Sequence, residues 1–138
     1  MRSIFRPPAS WRHRSFRYRM MVWRCVDCGA VHNYRARRCR RCRSGRIGED
    51  QLPQRGRLLF YTMVRTMFEG YEHHSPSPAG IIEFEDGTRI LALLTDCEPE
   101  ELREGMVVER VFRKIAEDGD SGVIVYGFKF RPLLTQGK

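Results

Sequence analysis

Two Cys-x-x-Cys units, Cys25-Val26-Asp27-Cys28 and Cys39-Arg40-Arg41-Cys42, stand with ten residues between them and constrain this chain more than any other feature. Thiolates three positions apart can grip one tetrahedral ion, and a second pair completes its shell at sulfur distances of about 2.3 Å. The spacing predicts a rubredoxin-like zinc ribbon with Cys25, Cys28, Cys39 and Cys42 as ligands of a structural zinc. Four protein ligands leave no coordination position open for catalysis. Gly29 follows the first pair and permits the positive-φ turn that points backbone N–H groups at sulfur. The second pair has Arg43 in that place, with Gly45 two residues on, so a less regular turn is expected there. Four thiolates around a divalent cation leave a net charge of −2, which the surrounding arginines should help to hold. The segment has few apolar residues, so the roughly 10–16 kcal/mol of apparent zinc binding would be its folding energy.

A disulfide framework fits less well, because Met1 to Arg24 lacks the continuous apolar core of a secretory signal and thiols that stay in the cytosol are kept reduced. A redox motif calls for a single pair beside a βαβ unit. The cytoplasm is the expected location. The longest aliphatic run, Ile90 to Leu94, is far below the roughly 20 apolar residues of a membrane span. Cys97, the fifth cysteine, lies between Asp96 and Glu98; their charge should raise its pKa and make it a poor nucleophile.

Charge is segregated. Residues 1–57 hold 16 arginines, no lysine and three acids, a net of +13, whereas residues 58–138 carry a net of −5. A basic head of this kind suits nucleic acid, a phosphorylated cofactor or an acidic protein face.

Pattern divides the 138 residues into an N-terminal helical docking segment (1–23), the ribbon (24–52) and a C-terminal domain (53–138). In the first, Ser10 reads as an N-cap, and Trp11 and Tyr18 lie two turns apart on one face among arginines. So short a helix is unstable alone and must dock on this chain or on a partner. In the third, Arg57–Phe68, Gly80–Phe84, Thr88–Leu94, Met106–Ile115 and Gly122–Phe130 read as five strands. Asp86-Gly87 is the signal of a two-residue hairpin turn. Glu98 to Gly105 reads as one or two helical turns, with proline at the start and glycine past the end. Five strands with a short helix between the third and fourth match an OB-fold barrel. The fold class expected is mainly β: an N-terminal helix, a zinc ribbon and a five-stranded OB-fold barrel.

No catalytic constellation converges in the sequence. His73 and His74, in a loop rich in proline and glycine, read as solvated surface, and His13 and His32 have no neighbouring carboxylate to orient them. The aromatics Phe60, Tyr61, Phe68, Tyr71, Phe84, Tyr126, Phe128 and Phe130 alternate with aliphatics as a barrel interior would. Base stacking on them is the alternative.

The order of these parts resembles the acyl-CoA-associated zinc-ribbon/OB-fold proteins, long catalogued as a domain of unknown function. The matching pieces are Trp11-Arg12, Arg17-Tyr18-Arg19, the four cysteines, Phe60-Tyr61-Thr62, Glu85-Asp86-Gly87, Gly105-Met106-Val107-Val108 and the terminal Tyr126-Gly127-Phe128-Lys129-Phe130-Arg131-Pro132. The resemblance implies a non-catalytic scaffold subunit. It would bridge acetoacetyl-CoA thiolase and hydroxymethylglutaryl-CoA synthase in the archaeal route to mevalonate, with contact to CoA through those partners. The chain departs from the family's usual first barrel connection, carrying His73-His74-Ser75-Pro76-Ser77-Pro78 there. Trp11, Arg12, Arg14 and Tyr18 are the expected partner contacts, because arginine pairs in bidentate fashion with carboxylates and phosphates. The competing expectation is a single-stranded nucleic-acid binder built from the same ribbon and barrel.

Overall fold

The computed structural model describes residues 6–66 and 76–134. Phe68, Tyr71, His73 and His74 lie outside the described residues. The chain divides into two compact units, one ending at Leu52 and the other beginning at Pro53.

The first unit opens with α1 (Pro7–Arg19), whose N-cap is Arg6 and not Ser10. Two prolines at the first helical positions explain the earlier start, since those positions have no intrahelical use for an N–H and proline's fixed φ already suits a helix. The helix buries none of its own residues and touches the strand that follows it. It stops at Met20, which takes a left-handed φ of 53° and returns its N–H to the Phe16 carbonyl at 2.8 Å. Three short antiparallel strands follow, β1 (Met21–Cys25), β2 (Val31–His32) and β3 (Ile47–Gln51), in the order β2-β1-β3. Their core is small: Met20, Val22, Leu52 and the sulfurs of Cys25 and Cys39. Arg24 clamps Asp50 at 2.7 Å across this sheet, and the Leu52 N–H donates to the Met20 carbonyl at 3.1 Å.

The second unit is a five-stranded sheet, β4 (Arg55–Val64), β5 (Ser77–Glu83), β6 (Arg89–Leu93), β7 (Val107–Glu117) and β8 (Ile124–Pro132). The order is β6-β5-β4-β7-β8, antiparallel throughout. A parallel bridge between Leu94 and Phe130, with the Thr95 N–H on the Phe130 carbonyl at 2.8 Å, nearly closes the sheet into a barrel. Inside lie Leu58, Ile82, Phe84, Leu94, Leu102, Val108 and Phe130. The expected fold class is therefore the observed one: one N-terminal helix, a cysteine-rich ribbon and an OB-type barrel.

Details differ from the sequence reading for local reasons. Strand β5 takes in Ser77, Pro78 and Ala79, which look like loop. Pro78 lacks a donor, but its carbonyl accepts the Leu94 N–H at 2.8 Å. The turn between β5 and β6 has three residues and not two: Phe84 and Thr88 pair at its mouth, and Gly87 takes a φ of 81°. A type I turn with a glycine bulge is the usual solution at that length. The segment before β7 is a single 3-10 turn, Pro99–Glu101, held by reciprocal capping between Glu98 and Glu101, with Leu102 buried just beyond it. No helix among the described residues is long and apolar enough to cross a membrane.

Candidate metal centre

Two turns bring the cysteines together. Cys25 ends β1, and the N–H of Gly29 returns to the Cys25 carbonyl at 2.9 Å; the N–H of Arg43 returns to the Cys39 carbonyl at 3.0 Å. The turns also match in conformation, with Gly29 at φ 72° and Arg43 at φ 64°. The second turn thus forms without its glycine, because the arginine itself enters the left-handed region. Asp27 ties the pair together. It accepts from Arg46 at 2.7 Å and from the Ser44 hydroxyl, while the Ser44 carbonyl accepts the Cys39 N–H at 2.8 Å.

The four sulfurs lie within 4.8 Å of one another. Cys25 and Cys42 are 3.5 Å apart, as are Cys28 and Cys39. A tetrahedron with metal–sulfur bonds of about 2.3 Å has edges of about 3.8 Å. Four cysteines in this arrangement can hold one metal ion. Electrostatics point the same way. The Cys39 thiol is lowered to about 5, first by the N–H of Cys42 and then by those of Arg41 and the His32 side chain, against the cost of burial. For Cys42 the N–H of Ser44 pulls downward, yet burial and the other three sulfurs prevail and push it up to about 12. Four crowded sulfurs cannot all ionise without a cation, and a cation removes that conflict.

His32 is the residue that the sequence reading missed. It is buried on β2, stands edge-on to Tyr34 with ring centroids 5.9 Å apart, and favours the Cys39 thiolate. Its Nε2 has no formed hydrogen bond among the described residues. Nothing in the sequence puts residue 32 beside residue 39; only the β1–β2 pairing of Trp23 with His32 does so. Cys97 is separate from the cluster, and burial first, then Glu101, Asp96 and Glu98, raise its thiol pKa.

The predicted contact residues are on α1. Trp11 is 67% exposed and Tyr18 52%. Arg14 lies over the Trp11 ring at 3.5 Å, and the Arg12 Nε–H donates to the Pro8 carbonyl at 3.2 Å. On the barrel, the expectation of an aromatic interior is corrected in part. Phe84 and Phe130 are inside, but Phe60 and Tyr126 are exposed, as is Phe112, which stacks on Tyr126 with ring centroids 5.7 Å apart and planes 15° from parallel.

Residues 49–113 match the family described as ChsH2, C-terminal OB-fold domain. A protein of Methanocaldococcus jannaschii named a DUF35 domain-containing scaffold protein is 42% identical over 90% of this chain and 89% of its own length. A Pyrococcus furiosus protein of the same name is 40% identical over 90% of each chain. The solved structure of an Ltp2-ChsH2(DUF35) aldolase superposes with a TM-score of 0.64 at 18% identity, covering 96% of this chain and all of that one; that likeness is one of fold. Identity at this level, sustained along nine-tenths of the sequence, has one reading: the chain belongs to the family of DUF35 domain-containing scaffold proteins.

Proposed function

We propose that this chain is a non-catalytic scaffold subunit, shaped by a structural zinc on Cys25, Cys28, Cys39 and Cys42, that bridges acetoacetyl-CoA thiolase and hydroxymethylglutaryl-CoA synthase. The observation that carries the reading is the 42% identity, along nearly the whole chain, to an archaeal protein named as a scaffold. The structural neighbour pairs a ChsH2(DUF35) component with Ltp2 in an aldolase, which supports work beside an enzyme. Zinc is the proposed ion because four thiolates in a tetrahedral cage suit its soft, geometry-neutral shell. In this reading the segments 1–23, 24–52 and 53–138 act as docking element, ribbon and barrel. Any contact with CoA is made through the partners.

Trp11, Arg12, Arg14 and Tyr18 are the proposed partner contacts. Exposed aromatics beside arginine are the residue types that dominate protein interfaces. Co-expression with both enzymes and size-exclusion chromatography test the reading: one shared peak is expected, and three separate peaks would overturn it. Trp11→Ala with Tyr18→Ala should loosen the shared peak and leave the melting profile of the free chain unchanged, since both side chains are exposed.

A second reading draws on the stacked, exposed Phe112–Tyr126 pair. Open aromatic platforms on an OB barrel are how such barrels hold single-stranded nucleic acid. Binding to a single-stranded oligonucleotide at about 50 mM salt, weakening steeply as salt rises, would favour it.

A further inference from the structure

The first unit contains a cleft of about 630 Å³ that the metal site does not use. Its flat walls are Trp11 from α1, Trp23 from β1 and Tyr34 just after β2, and its charge comes from Arg12, Arg14 and Arg35. None of the residues lining it is acidic. The volume lies in the range of about 300–1,000 Å³ typical of small-molecule sites.

The three arginines are available. Of the unit's three acids, Asp27 and Asp50 are engaged by Arg46 and Arg24, each at 2.7 Å, and Glu49, exposed on β3 opposite Trp23, is not among the residues that line the cleft. Among the described residues no carboxylate pairs with Arg12, Arg14 or Arg35. Arg14 instead lies over Trp11, and Arg40 approaches the Tyr34 ring at 5.7 Å. Guanidinium forks match phosphate oxygens in bidentate fashion. Indole and phenol faces take planar rings by stacking. All three arginines are exposed, so an uncharged apolar ligand would leave their charge unused, and an inorganic anion would leave three aromatic walls unused.

We propose that this cleft binds a nucleoside phosphate, its planar base against Trp11, Trp23 and Tyr34 and its phosphates on Arg12, Arg14 and Arg35. The site is contained in the first unit and needs no partner enzyme to form, but Trp11, Arg12 and Arg14 are also the proposed partner contacts, so nucleotide and partner would compete for them.

The chain holds only two tryptophans, Trp11 and Trp23, and both line the cleft. Intrinsic tryptophan emission of the full, metal-loaded chain is therefore a direct reporter. Titration with ADP should quench it saturably. Adenosine and pyrophosphate, each offering half of the recognition, should need concentrations higher by about tenfold or more. Raising salt from about 50 to 200 mM should weaken ADP binding, because the phosphate contacts are electrostatic. Arg35→Glu, at an exposed position, should weaken ADP by about tenfold or more while the far-UV circular dichroism stays unchanged. Should that variant fail to fold, Tyr34→Ala supplies the same comparison through lost stacking. The proposal is overturned by an absence of saturable quenching with ADP, by wild-type affinity in both variants, or by a short oligothymidylate that binds more tightly than ADP. Chromatographic assembly with the enzymes is read separately, so either idea can fail without the other.

Discussion

Arg43 stands where a glycine would ordinarily stand, at φ 64° in a turn that copies the one around Gly29. A side chain in the left-handed region costs about 1–2 kcal/mol, partly offset by the freedom that glycine adds to the unfolded chain. Arg43→Gly should therefore stabilise the metal-loaded chain by about 0.5–1 kcal/mol, read as a rise in melting temperature. A fall would show that the arginine's charge beside the thiolates outweighs its backbone strain. His32 makes the complementary case. Partners that orient or polarise metal ligands typically contribute about 10–100-fold in metal affinity. His32→Phe, which keeps the ring and its contact with Tyr34, should weaken zinc by about tenfold in a chelator competition; unchanged affinity would make the histidine mere packing. The two residues also differ in how readable they are. The cysteine spacing announces the site because ligand geometry is local to each pair. His32 reaches Cys39 through strand pairing, which a linear pattern does not carry.

At the scale of elements, the barrel shows how a single inserted residue defeats alternation. A bulge between Leu58 and Phe60 shifts the register of β4 on β5, so Leu58 is buried and Phe60 is 52% exposed although two positions separate them. A one-residue slip moves every later side chain to the other face. That is why the strands were legible while the placement of their aromatics was not. Closure of the barrel rests on charge as well as on Phe130. Asp96, just after β6, receives a hydrogen bond from Arg113 of β7 at 2.6 Å and lies 3.6 Å from Arg131 of β8, which also pairs with Glu109 at 2.9 Å. Arg113 holds the Asp96 carboxyl below its usual value of 3.8. The unfolded chain thus binds this proton more readily than the folded one, so the contribution is complete above that usual value and is lost as pH falls through the lowered one. Asp96→Asn should flatten the acid limb of a denaturant-unfolding series between about pH 5 and 2. Because the groups are partly exposed, the difference at neutral pH should be only about 0.5–1 kcal/mol. An acid limb identical to wild type would place the barrel's acid sensitivity elsewhere.

For the whole molecule, the segregation of charge seen in the sequence, drawn at residue 57, falls five residues from the division into units at Leu52 and Pro53. The basic unit has a core of a few side chains and two thiol-rich turns, whereas the acidic unit has a barrel interior of its own. Removal of metal should therefore act unevenly. A strong chelator should melt the first unit, seen as a shift in tryptophan emission since Trp11 and Trp23 both belong to it, and leave a cooperative thermal transition from the barrel. Family membership was legible because several short pieces keep their order along the chain. The cleft on the first unit was not, since Trp11, Trp23 and Tyr34 come together only after the ribbon has folded.

In the proposed reading, one ion held by four cysteines gives the arginine-rich unit its shape. X-ray absorption at the zinc edge, on chain purified without added metal, tests it most directly. One zinc per chain with four sulfur neighbours at about 2.3 Å is expected. Folded protein that carries no metal, or zinc bound mainly by nitrogen and oxygen, would contradict it.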